Sequence, residues 1–188
     1  MRTWHSRRWA SCLLSLAVLG LGAGCGSEPE AVTQPLTGGG NAPVAHSVAD
    51  EEAAGKAALA AYSGYLEASR AANARSDPGH PALARFLADP LLTKVQVTIR
   101  EAKEHGAMRT GTLLSDPTVV SVDLTADPPT VQIQDCLDAT RYRLVYAKNH
   151  RVVPGSRGGR YLATATATRY PDGRWLINAG AAHQDQPC

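Results

Sequence analysis

The stretch Thr130–Asp138 reads T-V-Q-I-Q-D-C-L-D, and its alternation decides the fold. Val131, Ile133 and Asp135 fall on one face of an extended chain, while Thr130, Gln132, Gln134 and Cys136 fall on the other. A strand with one apolar face needs a layer to cover it. The period of two continues on both sides of this stretch, predicting strands over 107–114, 118–125, 130–138, 141–148, 161–170 and 174–179. Asp127-Pro128-Pro129 and Pro171-Asp172-Gly173 are turn signals between them, and 151–159, with Pro154, Gly155, Gly158 and Gly159, reads as a longer hairpin loop.

The covering layer lies upstream, where the period is helical. Residues 50–75 place Ala54, Ala58, Ala61, Tyr62, Tyr65, Leu66 and Ala72 on one side of a helix and Glu52, Lys56, Ser63, Glu67 and Arg70 on the other. Asp50 is the expected cap, and Ser76-Asp77-Pro78-Gly79 the break. A short second helix runs through Leu83, Phe86 and Leu87; a third, over 91–104, turns Leu92, Val95, Ile99 and Ala102 inward and ends at His105-Gly106. Helices first and an antiparallel meander afterwards predict an α+β domain over 49–188.

The first 48 residues have a different character. Arg2, Arg7 and Arg8 precede an apolar run at 13–21 that is too short to span a bilayer as a mature helix, and the small residues Gly22-Ala23-Gly24 lead to Cys25. This is the pattern of a cleaved export signal. The order L-G-A-G-C resembles the bacterial lipobox. The resemblance implies a signal peptide over 1–24 and a mature chain that begins at Cys25, carries lipid there, and is anchored to the outer face of the cell membrane. The usual leucine three places before the cysteine is Gly22 here, with Leu21 one place earlier. Residues 25–48 contain Pro29, Pro35, Pro43 and Gly38-Gly39-Gly40 and no apolar periodicity, which predicts a flexible tether of roughly 25 Å mean reach.

Cleavage changes the charge. Nineteen Lys and Arg less the three arginines of the leader leave sixteen against seventeen acids, a net charge of −1. A near-neutral mature domain points to no nucleic-acid partner. The cysteines sort in the same way: Cys12 leaves with the signal, Cys25 takes the lipid, and Cys136 and Cys188 remain outside the cytoplasm, where thiols oxidise. A disulfide between them is the expectation; two free thiols are the alternative. No CxxC or HxxxH spacing accompanies them, so no metal site is expected.

The order helix, short helix, helix, then a bent sheet ending in G-R-W-L-I resembles the nuclear transport factor 2-like superfamily. Asp135-Cys136 with Asp138, Gly173-Arg174-Trp175 and the terminal Cys188 are similar to uncharacterised actinobacterial lipoproteins of that type. The resemblance covers about 50–188. It implies a cone between a long helix and a curved sheet, whose mouth often holds a small molecule. Members include isomerases, dehydratases and non-catalytic modules, so the fold does not settle function.

Candidate chemistry is sparse. Asp135 shares the phase of Val131 and Ile133 and is the one speculative general base, with a buried, hydrogen-bonded structural acid as the alternative. Asp138, at the strand end, is expected to cap the turn toward Thr140. His105, His150 and His183 lie in expected loops with no paired spacing. Tyr62, Tyr65, Asp135 and Trp175 are candidate pocket residues, with a place in the core or at its rim as the leading reading of the two tyrosines. Arg141, Arg143, Arg151, Arg157 and Arg160 make a locally basic stretch, suited to anionic lipid heads, an acidic partner, or simple protection of a sheet edge. No G-x-S-x-G, phosphate loop or dinucleotide fingerprint occurs, and no cofactor is expected. The leading expectation is a lipid-anchored, non-enzymatic binding module for a small apolar ligand or an envelope protein. The rivals are an isomerase or dehydratase built on Asp135, and a scaffold subunit docking through its open sheet face.

Overall fold

Strand β3 (Thr130–Asp138) lies inside a four-stranded antiparallel sheet, between β2 (Pro117–Asp123) and β5 (Arg160–Arg169), with β6 (Trp175–His183) beyond β5. The structure is a computed structural model describing residues 46–188. The leader, Cys25 and the tether as far as residue 45 therefore lie outside the described residues. In β3, Val131, Ile133, Asp135 and Leu137 are buried, and their neighbours are partly or fully exposed, as the alternation requires.

Three helices precede the strands, and the domain is α+β. Helix α1 (Val48–Ala74) packs on the sheet, followed by α2 (Leu83–Phe86) and α3 (Leu91–Glu104). The start of α1 differs from expectation. Ser47, not Asp50, is the N-cap: its hydroxyl accepts from the Asp50 amide at 3.2 Å, and the Asp50 carboxylate accepts from the Ser47 amide at 2.9 Å. A carboxylate three residues after a serine closes this reciprocal box and shifts the helix two residues upstream. The alanines Ala54, Ala58, Ala61, Ala68 and Ala72 are buried and let α1 lie close to the sheet. At Gly64 a Cβ would fall on the Phe86 ring, so glycine is what lets α2 seat against α1. Leu83, Leu87, Ile99, Val131, Ile133 and Ile177 complete the core, each burial contributing about 2 kcal/mol.

The meander is interrupted. Strand β4 (Tyr142–Tyr146) does not join the main sheet but pairs with β1 (Ala107–Gly111) in a separate two-stranded ribbon. The reason lies in the turn between β3 and β4. Asp138 Oδ1 accepts from the Thr140 amide at 2.9 Å and its hydroxyl at 2.6 Å, the capping role expected of it, and the Ala139 amide donates to the Gly159 carbonyl. These bonds turn the chain away from β3 toward β1. Gly111 meets β4 so closely that a Cβ there would strike the Arg141 carbonyl, and its φ of +110° suits glycine. Strand β1 accordingly stops at Gly111, short of the expected 114, and Leu114 makes an isolated bridge to Asp138.

Strand β6 runs on to His183, past the expected end at 179. The run Ala179-Gly180-Ala181-Ala182 carries no alternation, yet it pairs with β5 from Ala163 to Thr166. Cys136 and Cys188 are joined by a disulfide with Cα atoms 5.8 Å apart, which ties the tail to the central strand.

Candidate functional site

An open cavity of about 700 Å³ lies between the helices and one end of the strands. Helix α1 contributes Tyr62, Tyr65, Ser69 and Arg70, and α3 contributes Leu91, Lys94, Thr98 and Ile99. Facing them are Arg109 of β1, Tyr142 of β4, Tyr161 and Ala163 of β5, and the loop 155–159. The helical period explains the first set: Tyr62, Tyr65, Ser69 and Asn73 recur at three and four residues on α1. The loop is held down by the bond from Ala139 to Gly159 and by Gly158, where a Cβ would overlap the Ala139 carbonyl.

Of the four candidate pocket residues, Tyr62 and Tyr65 line this cavity from the edge of the core, with rings 5.8 Å apart in an edge-to-face arrangement. Trp175 packs against the core at the start of β6, and Asp135 lies behind Tyr62 in a closed polar knot; neither lines the cavity. Asp135 is 1% exposed. Its Oδ2 accepts from the Tyr62 hydroxyl at 2.9 Å and from Ser115 Oγ at 2.7 Å, and its Oδ1 accepts from the Asp116 amide at 2.7 Å. Both oxygens are occupied by protein donors, the arrangement that makes a buried carboxylate a structural group.

The histidines do not converge on the site. His105 caps α3, His150 sits in a loop at φ +56°, and His183 Nε2 is 3.0 Å from Thr164 Oγ1. Among the described residues no group of three or more His, Cys, Asp or Glu side chains is placed to hold a metal ion. No described helix is long and apolar enough to cross a membrane.

Sequence reading missed Arg70, Arg109, Tyr142 and Tyr161 as site residues. They come from α1, β1, β4 and β5, and no spacing in the chain brings them together. The basic stretch supplied two of the cavity cations, Arg157 and Arg160, whereas Arg141, Arg143 and Arg151 lie elsewhere.

Burial raises the phenols of Tyr65 and Tyr161, and pushes Tyr142 up to about 12 although Arg109 and Arg70 oppose the rise. Tyr62 is raised further, first by burial and then by the charge of Asp135. These four of the chain's six tyrosines stay protonated through the neutral range. A raised folded value means that the native state holds its protons longer than the unfolded chain. The resulting stability is fully present below about pH 10, the usual phenol value, and is lost as pH rises through the folded values. At about pH 11 the folded protein should show a smaller 295 nm absorbance change than the guanidinium-unfolded chain. Equal changes would mean that the four phenols lie in water.

No family model matches the chain, and no curated protein does. Among solved structures, the intermembrane space region of the chloroplast protein ARC6 is similar at 20% identity over 68% of this chain and 95% of that one, with a TM-score of 0.43. A likeness of that size bears on neither fold nor function.

Proposed function

We propose that this protein is a non-enzymatic binding module of the bacterial cell envelope, fastened to the membrane by lipid on Cys25, that holds a small molecule in the cavity between α1, α3 and the strand ends. The observation that carries this reading is the cavity itself: about 700 Å³, open at one side, with walls shared by apolar and polar side chains. Pockets of that size and mixed character are where small ligands bind. The resemblance to the nuclear transport factor 2-like superfamily fits, since the cavity lies between the long helix and the sheet, where that fold keeps its cone. The export signal and the lipobox-like L-G-A-G-C support the anchor.

The enzyme reading rests on Asp135 and loses support from its surroundings. A general base must reach the proton it removes, and Asp135 is enclosed by three donors from the protein. The scaffold reading asks for an apolar open sheet face, and that face instead carries Gln132 bonded to Thr166 and Thr118 bonded to the Gln134 carbonyl.

Two measurements on the full chain test the proposal. Cells fed radiolabelled palmitate should label the wild type and not Cys25→Ala; equal labelling removes the anchor. The neutral dye N-phenyl-1-naphthylamine should brighten on binding the purified protein and lose that response in Thr98→Trp, which adds a large ring at an exposed lining position on α3. A response unchanged by the substitution places the dye elsewhere and removes the cavity as the binding site.

A further inference from the structure

The charge on the cavity wall is one-sided. Arg70, Lys94, Arg109, Arg157 and Arg160 line it, and among the described residues no aspartate or glutamate does. The domain as a whole is close to neutral, so this sign is a property of the cavity and not of the chain. Around the cations lie Tyr65, Tyr142 and Tyr161, whose hydroxyls enter no hydrogen bond among the described residues, and Ser69, whose buried Oγ likewise has no partner there. The floor is apolar, with Leu91, Ile99 and Leu137.

Arg109 is the decisive residue. It is half-buried on β1 and acts electrostatically on both Tyr142 and Tyr161. Among the described residues it makes neither an ion pair nor a side-chain hydrogen bond; the one ion pair there is Arg174 with Asp172, at a distant turn. A guanidinium drawn partly out of water without a counter-charge loses free energy that a bound anion restores. Its planar fork suits a carboxylate or phosphate oxygen pair. The neutral phenols beside it are donors, and they can only add to the binding of an acceptor.

We infer that the cavity selects a soluble amphipathic anion, a small molecule with one carboxylate or phosphate-type head held by Arg109 and an apolar body resting on Leu91, Ile99 and Leu137. This rests on the cavity being the binding site, and it replaces the purely apolar ligand that the sequence suggested. The cations surround a recess with an apolar floor, which takes a body as well as a head. A bilayer surface offers heads alone.

The test compares two dyes of nearly one shape on the full-length protein. 1-Anilinonaphthalene-8-sulfonate carries an anionic head; N-phenyl-1-naphthylamine lacks it. The anion should bind at least tenfold more tightly, and the preference should shrink as salt rises. Arg109→Gln should remove most of it while leaving the neutral dye within about twofold, and the exposed Arg70→Gln should lower it less. Decanoate or decyl phosphate should displace the anionic dye; phosphatidylglycerol vesicles should not. Equal binding of the two dyes, with both lost in Thr98→Trp, overturns the anion preference and leaves the cavity as a binding site. Failure of both dyes to bind, or binding indifferent to Thr98→Trp, overturns the cavity reading and the anion preference with it. Displacement by vesicles alone overturns the soluble ligand.

Discussion

Replacing Cys136 and Cys188 together by serine should lower the unfolding free energy by about 4 kcal/mol. The bond closes a loop with a sequence separation of 52, and most of its effect is to remove freedom from the unfolded chain. Its position adds a native-state consequence. Cys136 is on an inner strand, and the tail it holds makes two backbone bonds to the sheet among the described residues, from the Leu162 amide to the Gln186 carbonyl and from the Gln186 amide to the His183 carbonyl, both at 2.9 Å. Gln184 of the same tail lines the cavity. The serine variant should therefore lose dye affinity as well as stability. Urea melts of the oxidised wild type and the double variant measure the first effect, and mass spectrometry of the domain should find the oxidised form two hydrogens lighter than the reduced one. A stability change below about 1 kcal/mol would mean that the tail is tethered by other contacts.

Asp135→Ala should cost on the order of 3 kcal/mol. The substitution removes the common acceptor of Tyr62, Ser115 and Asp116 and leaves three donors facing one another in a site that is 1% exposed. Tyr62→Phe should cost only about 1–2 kcal/mol, because Asp135 keeps its bonds from Ser115 and Asp116. The double variant should cost less than the sum of the two, since both remove the same bond. Denaturant melts of the three variants decide the matter. If Asp135→Ala costs no more than Tyr62→Phe, the knot does not hold the domain together, and a catalytic role for the carboxylate regains ground.

Asp135 also shows how far the chain can be read without its fold. The alternation of Val131, Ile133 and Asp135 placed the acid on the inner face, and it is there. Its partners were not legible. Tyr62 is 73 residues away and Ser115 is 20 residues away, and neither separation is a periodicity of any element. The same holds for β4. Its own alternation marks it as a strand, but strand pairing depends on which edge the chain reaches after a turn, and the Asp138 turn sends it to β1. The end of β6 was missed for a different reason: a run of alanine and glycine has no apolar contrast between its faces.

The chain by itself determined the element types, the three helix positions to within a few residues and the inward face of Thr130–Asp138, while the bond between Cys136 and Cys188 was an expectation that the structure bears out. The element types, helix positions and inward face follow from local periodicity and from turn chemistry. Only the tertiary structure decided that Arg70, Lys94, Arg109, Arg157 and Arg160 line one cavity, that among the described residues no acid joins them, and that Trp175 stands apart. Charge acts through space, and side chains from two helices, two strands and a loop acquire a common field only when packing brings them together.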